Sequence, residues 1–74
     1  MKTYLFLIVI EKDKDGYFVS CPELQGCSTQ GESYEEAMTN IADAIKLHLE
    51  DRRAAQEEIP EKTSVSLSTV AVSV

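Results

Sequence analysis

Two cysteines and one histidine are the side chains with the clearest potential for metal binding or nucleophilic chemistry. Cys21 and Cys27 flank a short segment with a proline and a glycine, and His48 is the sole histidine. A structural zinc site needs four such ligands, commonly with C-x2-C spacing, and this spacing is C-x5-C. A disulfide is geometrically feasible, but a cytoplasmic location keeps thiols reduced. We interpret both cysteines as small buried hydrophobes and His48 as a residue at the core edge.

Carboxylates form the second group with chemical potential. Glu11, Asp13 and Asp15 precede Gly16, and carboxylate oxygens are ligands that Mg²⁺ accepts. Aspartate is also favoured in turns, because its side chain bonds nearby backbone amides. The sequence contains no G-x-S-x-G, phosphate-loop or dinucleotide motif. We therefore predict no catalytic residue, no metal and no cofactor, with a small metal-dependent nuclease as the less favoured alternative.

The net charge indicates which partners the chain can attract. Seven basic and 13 acidic residues give a net charge of −6. Nucleic-acid binding requires a basic surface, so we expect none, whereas a basic protein partner is compatible with this charge. The apolar run 4–10 is shorter than the roughly 20 residues of a membrane span, and no cleavage site follows it. We expect a cytoplasmic protein without membrane contact.

These groups must be positioned by one small domain, residues 1–74. Residues 3–11 are rich in β-branched and aromatic side chains and predict a strand. Apolar residues occupy both of its faces: Tyr4, Phe6, Ile8 and Ile10 on one, and Leu5, Leu7 and Val9 on the other. A strand that is apolar on both faces should be central in its sheet. One helix covers only one face, so we expect a second copy of the chain to cover the other.

The remaining strands follow from turn residues. Asp15-Gly16 predicts a hairpin turn, followed by a strand at 17–21. Pro22 and Gly26 predict a turn before a third strand at 27–30. Residues 63–74 alternate apolar and polar side chains and predict a fourth strand, with a change of phase near Ser68 and Thr69.

A helix is predicted between the third and fourth strands. Ser33 begins a Ser-x-x-Glu capping box, and the helix should run from Tyr34 to about Gln56, before Pro60. Its apolar stripe has three- and four-residue spacing and comprises Ala37, Met38, Ile41, Ala44, Ile45, His48 and Leu49. The predicted class is α+β, in the order β-β-β-α-β, with an antiparallel meander and one long helix on one face.

An ordered set of short motifs resembles the HicB-like antitoxin family. The motifs are D-x-D-G-Y at 13–17, P-E-L-x-G-C at 22–27, T-x-G-E-S at 29–33, E-E-A at 35–37 and N-I-A-D-A-I at 40–45. The resemblance covers nearly the whole chain. It implies a partial ribonuclease-H-like fold, homodimers or tetramers, and binding to a HicA-like toxin, a small basic mRNA-cleaving protein whose active site is blocked. Many members carry an added DNA-binding domain; we expect none here, and no operator binding.

The resemblance and the acidic charge together suggest which residues contact a partner. The candidates are all carboxylates: Asp13, Asp15, Glu23, Glu32, Glu35, Glu36, Glu50 and Asp51. The hypothesised mechanism is occlusion, in which an acidic surface docks on the basic toxin and excludes its RNA substrate. Two alternatives remain open at this point. The carboxylates can form an ordinary solvated face, and the chain can be an oligomeric module with a different ligand.

Overall fold

Three short strands and one helix make up the regular structure of the described residues. The computed structural model describes residues 3–59 and 66–74. Strands β1 (Val9–Asp13), β2 (Gly16–Ser20) and β3 (Ser28–Gly31) precede helix α1 (Tyr34–Ala54). β2 pairs antiparallel with both neighbours, so the sheet order is β1-β2-β3. The α+β class and the antiparallel meander are confirmed, and the likeness to ribonuclease H stays a prediction.

The first strand is shorter than predicted and lies at an edge of the three-stranded sheet that the described residues form. Residues 3–8 belong to no strand ladder, and β1 begins only at Val9, which pairs with Ser20. β2 ends there because the next segment turns away at Pro22, which has no amide hydrogen to donate. The Leu7 amide instead donates to Glu23 Oε1 at 2.8 Å. Within the described residues the first strand is not central as predicted, because the meander places β2 between its two sequence neighbours.

The two predicted turns are confirmed. Gly16 has a φ of 133° and follows the two-residue turn Lys14–Asp15, where Asp13 pairs with Gly16. The segment between β2 and β3 is closed by backbone hydrogen bonds from the Cys21 amide to the Cys27 carbonyl and from the Cys27 amide to the Leu24 carbonyl. Gly26 supplies the left-handed backbone of this turn, with a φ of 77°. The closed turn points Leu24 into the protein, where it is 1% exposed.

The capping box forms at the start of α1, with one difference from the prediction. Ser33 Oγ accepts a hydrogen bond from the Glu36 amide at 3.0 Å, as expected. The Glu36 carboxylate reaches the amide of Glu32, at 2.9 Å, rather than that of Ser33. Glu35 and Glu36 also lie in the first turn, where the helix dipole favours negative charge. Two side-chain hydrogen bonds and two favourably placed negative charges therefore define where α1 begins.

The helix ends two residues before the predicted position. Gln56 adopts a left-handed backbone with a φ of 60°, and its amide donates to the Arg53 carbonyl. The Glu57 amide donates to the Arg52 carbonyl at 2.8 Å. This pair of bonds is a Schellman motif, in which a residue with positive φ reverses the chain and satisfies the last carbonyls. Here glutamine takes the place that glycine usually fills.

The core lies between the sheet and one face of α1. Its buried members are Val19, Cys21, Leu24, Cys27, Ala37 and Ile41. Phe6, Ile8 and Ile10, which share one face of the first segment, pack against it. Met38, predicted as part of the helix stripe, is 36% exposed.

The predicted fourth strand is absent from the described part of the C-terminal segment. Residues 66–74 join no ladder, and every one of them is exposed. Residues 63–65 of that prediction lie outside the described residues. The order of the described elements is therefore β-β-β-α. Alternating side chains predict an extended chain, but a strand also requires a neighbour with which to pair.

Candidate partner-binding surface

Four of the eight candidate carboxylates line a single groove. Pairing of β2 with β3 places Tyr17 opposite Gly31, so the hairpin turn lies beside the start of α1. Asp13 ends β1, Asp15 lies in the turn, and Glu32 and Glu36 lie at the start of the helix. The groove has a volume of about 520 Å³. Carboxylates that are far apart in sequence are thus brought to one surface by the strand register.

Local hydrogen bonds orient two of these carboxylates. Asp13 Oδ1 accepts from the Asp15 amide at 2.8 Å, which is the short-range bond that favours aspartate in turns. Glu36 Oε1 accepts from the Glu32 amide. The side chains of Asp15 and Glu32 take no part in these two bonds, and both residues are exposed. Asp15 and Glu32 are therefore the groove carboxylates that are least involved in building the fold.

Aromatic side chains form the apolar part of the groove, and they are not among the contact residues predicted from the sequence. Tyr17 and Phe18 line it together with Gln30. Phe18 is 47% exposed, and the Tyr17 ring meets the Tyr34 ring edge-on at a centroid distance of 6.3 Å. In the sequence, the two aromatic residues directly after Asp15-Gly16 were the signal that could have indicated this apolar surface. Exposed aromatic residues with a polar surround are typical of protein–protein contacts.

Two glycines allow the walls of the groove to approach each other. A Cβ at Gly31 would lie 2.6 Å from the Ala37 backbone nitrogen, so β3 and α1 touch there through backbone atoms. A Cβ at Gly16 would lie 2.9 Å from the Gly31 carbonyl oxygen. The glycines of the hairpin and of β3 are therefore required by close packing at the groove.

The other four candidate carboxylates lie elsewhere. Glu23 accepts a hydrogen bond from the Leu7 amide, at the far end of β2. Glu35 is exposed in the first turn of α1 but does not line the groove. Glu50 and Asp51 follow Glu36 by about four helical turns, which corresponds to roughly 22 Å along the axis at 1.5 Å per residue. The eight carboxylates thus do not form one continuous surface.

The cysteines and the histidine are placed as predicted, within or beside the core. Cys21 and Cys27 are buried free thiols, and burial raises the pKa of each above its ordinary value of 9.0. His48 is half-buried, and its Nε2 accepts a hydrogen bond from Arg52 Nε at 3.0 Å. Within residues 3–59 and 66–74, no group of three or more His, Cys, Asp and Glu side chains is arranged to hold a metal ion.

In the part of the chain that the structure describes, no helix combines the length and the apolar character that crossing a membrane requires.

The fold and the groove define a small α+β domain that presents an acidic, aromatic-lined surface. Over residues 6–71 the chain matches a family described as HicB-like antitoxin of bacterial toxin-antitoxin systems. The chain belongs to the HicB-like antitoxin family, as its motifs indicated. Membership supports an antitoxin role and implies a toxin partner in general.

Relatives in bacteria and archaea are similar over most of the domain. A UPF0150 protein of Helicobacter pylori strain J99 is 59% identical over 46 residues, which is 62% of this chain and 64% of that protein. A UPF0150 protein of Synechocystis is 40% identical over 60 residues, 80% of this chain and 76% of that protein. One from Thermoplasma acidophilum is 43% identical over 56 residues, 74% of this chain and 81% of that protein. No solved structure matches the chain.

Proposed function

We propose that this protein neutralises a small, basic, mRNA-cleaving toxin of the HicA type by covering the active site of the toxin. The observation that carries the proposal is the family match over residues 6–71. In this proposal the protein acts in the cytoplasm as a homodimer or tetramer, and it catalyses no reaction itself. The acidic groove is the surface that best fits the contact with the toxin.

The groove suits a toxin that binds RNA. A protein that binds RNA needs a basic surface to neutralise phosphates. Asp13, Asp15, Glu32 and Glu36 present negative charge in one groove and can occupy that basic surface in place of the RNA backbone. The half-exposed Phe18 adds an apolar contact beside the charges, and aromatic side chains often supply most of the binding energy in such contacts.

Distances along α1 indicate which candidate carboxylates lie at the centre of the proposed toxin contact and which lie outside it. A typical protein interface covers about 800 Å² on each partner, which is a patch of roughly 16 Å radius. Glu50 and Asp51 lie about 22 Å from Glu36 along the helix, so a patch centred on the groove does not include them. We therefore place Asp13, Asp15, Glu32 and Glu36 at the centre of the contact, and Glu50 and Asp51 outside it.

An RNA-cleavage assay with paired charge variants tests the proposal. Purified HicA-type toxin cleaves labelled RNA, and this protein is added in increasing molar ratio. The groove variant is Asp15→Asn with Glu32→Gln, and the matched control is Asp51→Asn with Glu50→Gln, which removes the same charge. The native chain and the control should stop cleavage near equal stoichiometry. The groove variant should bind about tenfold more slowly and lose part of its salt dependence.

Two results would contradict different parts of the proposal. Equal weakening by the groove variant and the control would show that net charge matters and the groove does not. No inhibition by the native chain at any ratio, together with no binding to the toxin, would reject neutralisation and favour an oligomeric module with another ligand.

A further inference from the structure

Two free thiols face each other across the base of the turn between β2 and β3. Ser20 pairs with Ser28 at the end of the β2–β3 ladder, so the next positions in register are Cys21 and Cys27. The Cys21 amide donates to the Cys27 carbonyl at 2.9 Å, as expected for residues that lie directly opposite each other. Such residues project their side chains from the same face of a sheet. Both thiols are buried on that face, in the same core cluster as Val19.

The sequence between the cysteines builds the turn that brings them together. The Leu24 amide donates to the Cys21 carbonyl at 3.0 Å, and the Cys27 amide donates to the Leu24 carbonyl at 3.1 Å. Each bond closes a β-turn of four residues, so two consecutive turns return the chain. Pro22 takes the second position of the first turn, where its fixed φ is favoured, and Gly26 supplies the positive φ of 77° in the second turn. Local turn chemistry therefore places the two cysteines opposite each other.

The spacing of such a pair is close to that of a disulfide without matching it. Opposite residues joined by backbone hydrogen bonds have Cα atoms about 5.5 Å apart, within the range of about 4.4–6.8 Å that a disulfide spans. Their Cβ atoms are also about 5.5 Å apart, and a disulfide requires an approach of roughly 1 Å more. The two cysteines make only one of the two backbone bonds of a regular pair, because the Cys27 amide donates to Leu24 instead. The turn can therefore adjust without breaking a complete ladder pair.

This mismatch predicts a disulfide that is readily reduced again. A strained disulfide has a higher reduction potential than a relaxed one, and labile, regulatory disulfides belong to this kind. Burial raises the pKa of both thiols, so little thiolate is present at neutral pH and exchange is slow. The thiols should therefore stay reduced where reduced glutathione is abundant, and react when the ratio of oxidised to reduced glutathione rises.

A shallow depression gives a small disulfide a route to the pair. The depression has a volume of about 350 Å³, and its lining includes both cysteines together with Pro22 and Gly26. Cys27 is 7% exposed, whereas Cys21 is 2% exposed. Cys27 is therefore the thiol that an incoming reagent meets first.

We propose that Cys21 and Cys27 form a reversible intramolecular disulfide by exchange with oxidised glutathione, a small-molecule disulfide. The Cys27 thiolate attacks one sulfur of oxidised glutathione, which forms a mixed disulfide and releases one glutathione thiolate. The Cys21 thiolate then attacks the Cys27 sulfur and releases the second glutathione thiolate. The two cysteines lose two electrons and two protons, which the two molecules of reduced glutathione gain. Neither cysteine lines the acidic groove, so this site is independent of the proposed toxin contact.

Differential alkylation of the folded chain in glutathione buffers tests the site. The native chain and the variants Cys21→Ala and Cys27→Ala are equilibrated at increasing ratios of oxidised to reduced glutathione. Free thiols are then blocked with N-ethylmaleimide and counted by mass spectrometry. The native chain should lose both thiols together, retain no glutathione adduct, and regain both thiols when reduced glutathione is restored.

The single variants are the matched controls, because each keeps one thiol and cannot close the ring. Both should accumulate a glutathione adduct at the ratios that oxidise the native chain. Cys21→Ala keeps the more exposed thiol and should accumulate the adduct faster than Cys27→Ala. The reverse order would contradict the assigned first step. The measurement on the native chain requires no substitution, so it stands even where a variant folds poorly.

The rate in dilute urea shows whether the folded chain is the species that reacts. Exchange within the fold should keep the circular dichroism spectrum of the native protein, and about 1 M urea should change its rate by less than about twofold. Exchange through the unfolded chain would accelerate by about fivefold or more, because urea raises the unfolded population. That acceleration would overturn a site built by the fold.

Three further results would overturn the intramolecular disulfide. The native chain could keep both thiols free at ratios where the single variants carry the adduct, which would mean that packing holds the sulfurs apart. It could instead accumulate a stable glutathione adduct, or form disulfide-linked dimers. None of these results bears on the RNA-cleavage assay when that assay is run with reduced protein, so the two proposals fail separately.

Discussion

The turn between β2 and β3 and the two end segments all carry apolar side chains, and they differ in how far their leucines are buried. Leu24 in the turn is 1% exposed, whereas Leu5 and Leu67 in the end segments are 93% and 80% exposed. The turn is held by backbone hydrogen bonds between Cys21, Leu24 and Cys27, which direct Leu24 beneath α1. The comparison teaches that apolar character creates a need for burial, whereas the surrounding backbone decides whether one chain can satisfy that need.

A leucine-to-alanine substitution in each region should give the largest difference in the free energy of unfolding. Leu24→Ala leaves a cavity in the core and should lower the free energy of unfolding by about 2–5 kcal/mol. Leu67→Ala should change it by less than about 0.5 kcal/mol in the single chain, because the side chain is already exposed. Urea titration monitored by circular dichroism measures both.

Protein concentration sharpens this contrast. The effect of Leu24→Ala should be independent of concentration, whereas any effect of Leu67→Ala should grow as copies associate. A Leu67→Ala effect as large as that of Leu24→Ala at low concentration would show that the end segment is packed within its own chain.

The glycine at the β3–α1 contact is the next point to test. Gly31→Ala would place a Cβ 2.6 Å from the Ala37 backbone nitrogen, and the crowding should cost about 1–3 kcal/mol of unfolding free energy. Gly26→Ala meets no atom within 4 Å, so its cost should come only from the left-handed backbone, roughly 1 kcal/mol. Thermal unfolding of the two variants gives the comparison, and an equal loss in both would refute the close contact of β3 with α1.

A smaller effect is expected at the helix start. Ser33→Ala removes the oxygen that accepts from the Glu36 amide, and it should lower the free energy of unfolding by about 1 kcal/mol. Ser68→Ala is the matched control, because Ser68 is exposed in the C-terminal segment and caps no helix. Urea titration should show no change for the control. A Ser33→Ala variant as stable as the native chain would mean that the cap contributes nothing.

The smallest expected effect concerns pH and the buried thiols. Burial raises the pKa of Cys21 and of Cys27, so the unfolded chain releases these protons at lower pH than the folded chain. This difference in thiol pKa stabilises the folded chain below pH 9. The stabilisation is lost as the pH rises through the raised pKa values of the folded state. Chemical denaturation between pH 8 and pH 10 should therefore show a decline that the Cys21→Ala, Cys27→Ala double variant lacks. An identical decline in both would assign the pH dependence to other groups.

Local features were predictable from the sequence because short-range interactions determine them. The Asp-Gly turn, the Pro22–Gly26 turn and the Ser33 cap each depend on residues within a few positions of one another. The burial of Ala37 and Ile41 could also be predicted, since helical spacing places them on one face. The groove was only partly predictable, because its four carboxylates and Tyr17 are brought together by strand register.

The sequence by itself determined the helix, the hairpin and the acidic charge, because turn chemistry, capping and periodicity act over a few residues. Only the tertiary structure decided the length of β1, its position at the sheet edge and the absence of a fourth strand from the described residues. The physical reason is that a strand is defined by its neighbour. Whether residues 3–8 and 66–74 have one depends on contacts between distant segments, and alternating side chains cannot specify them.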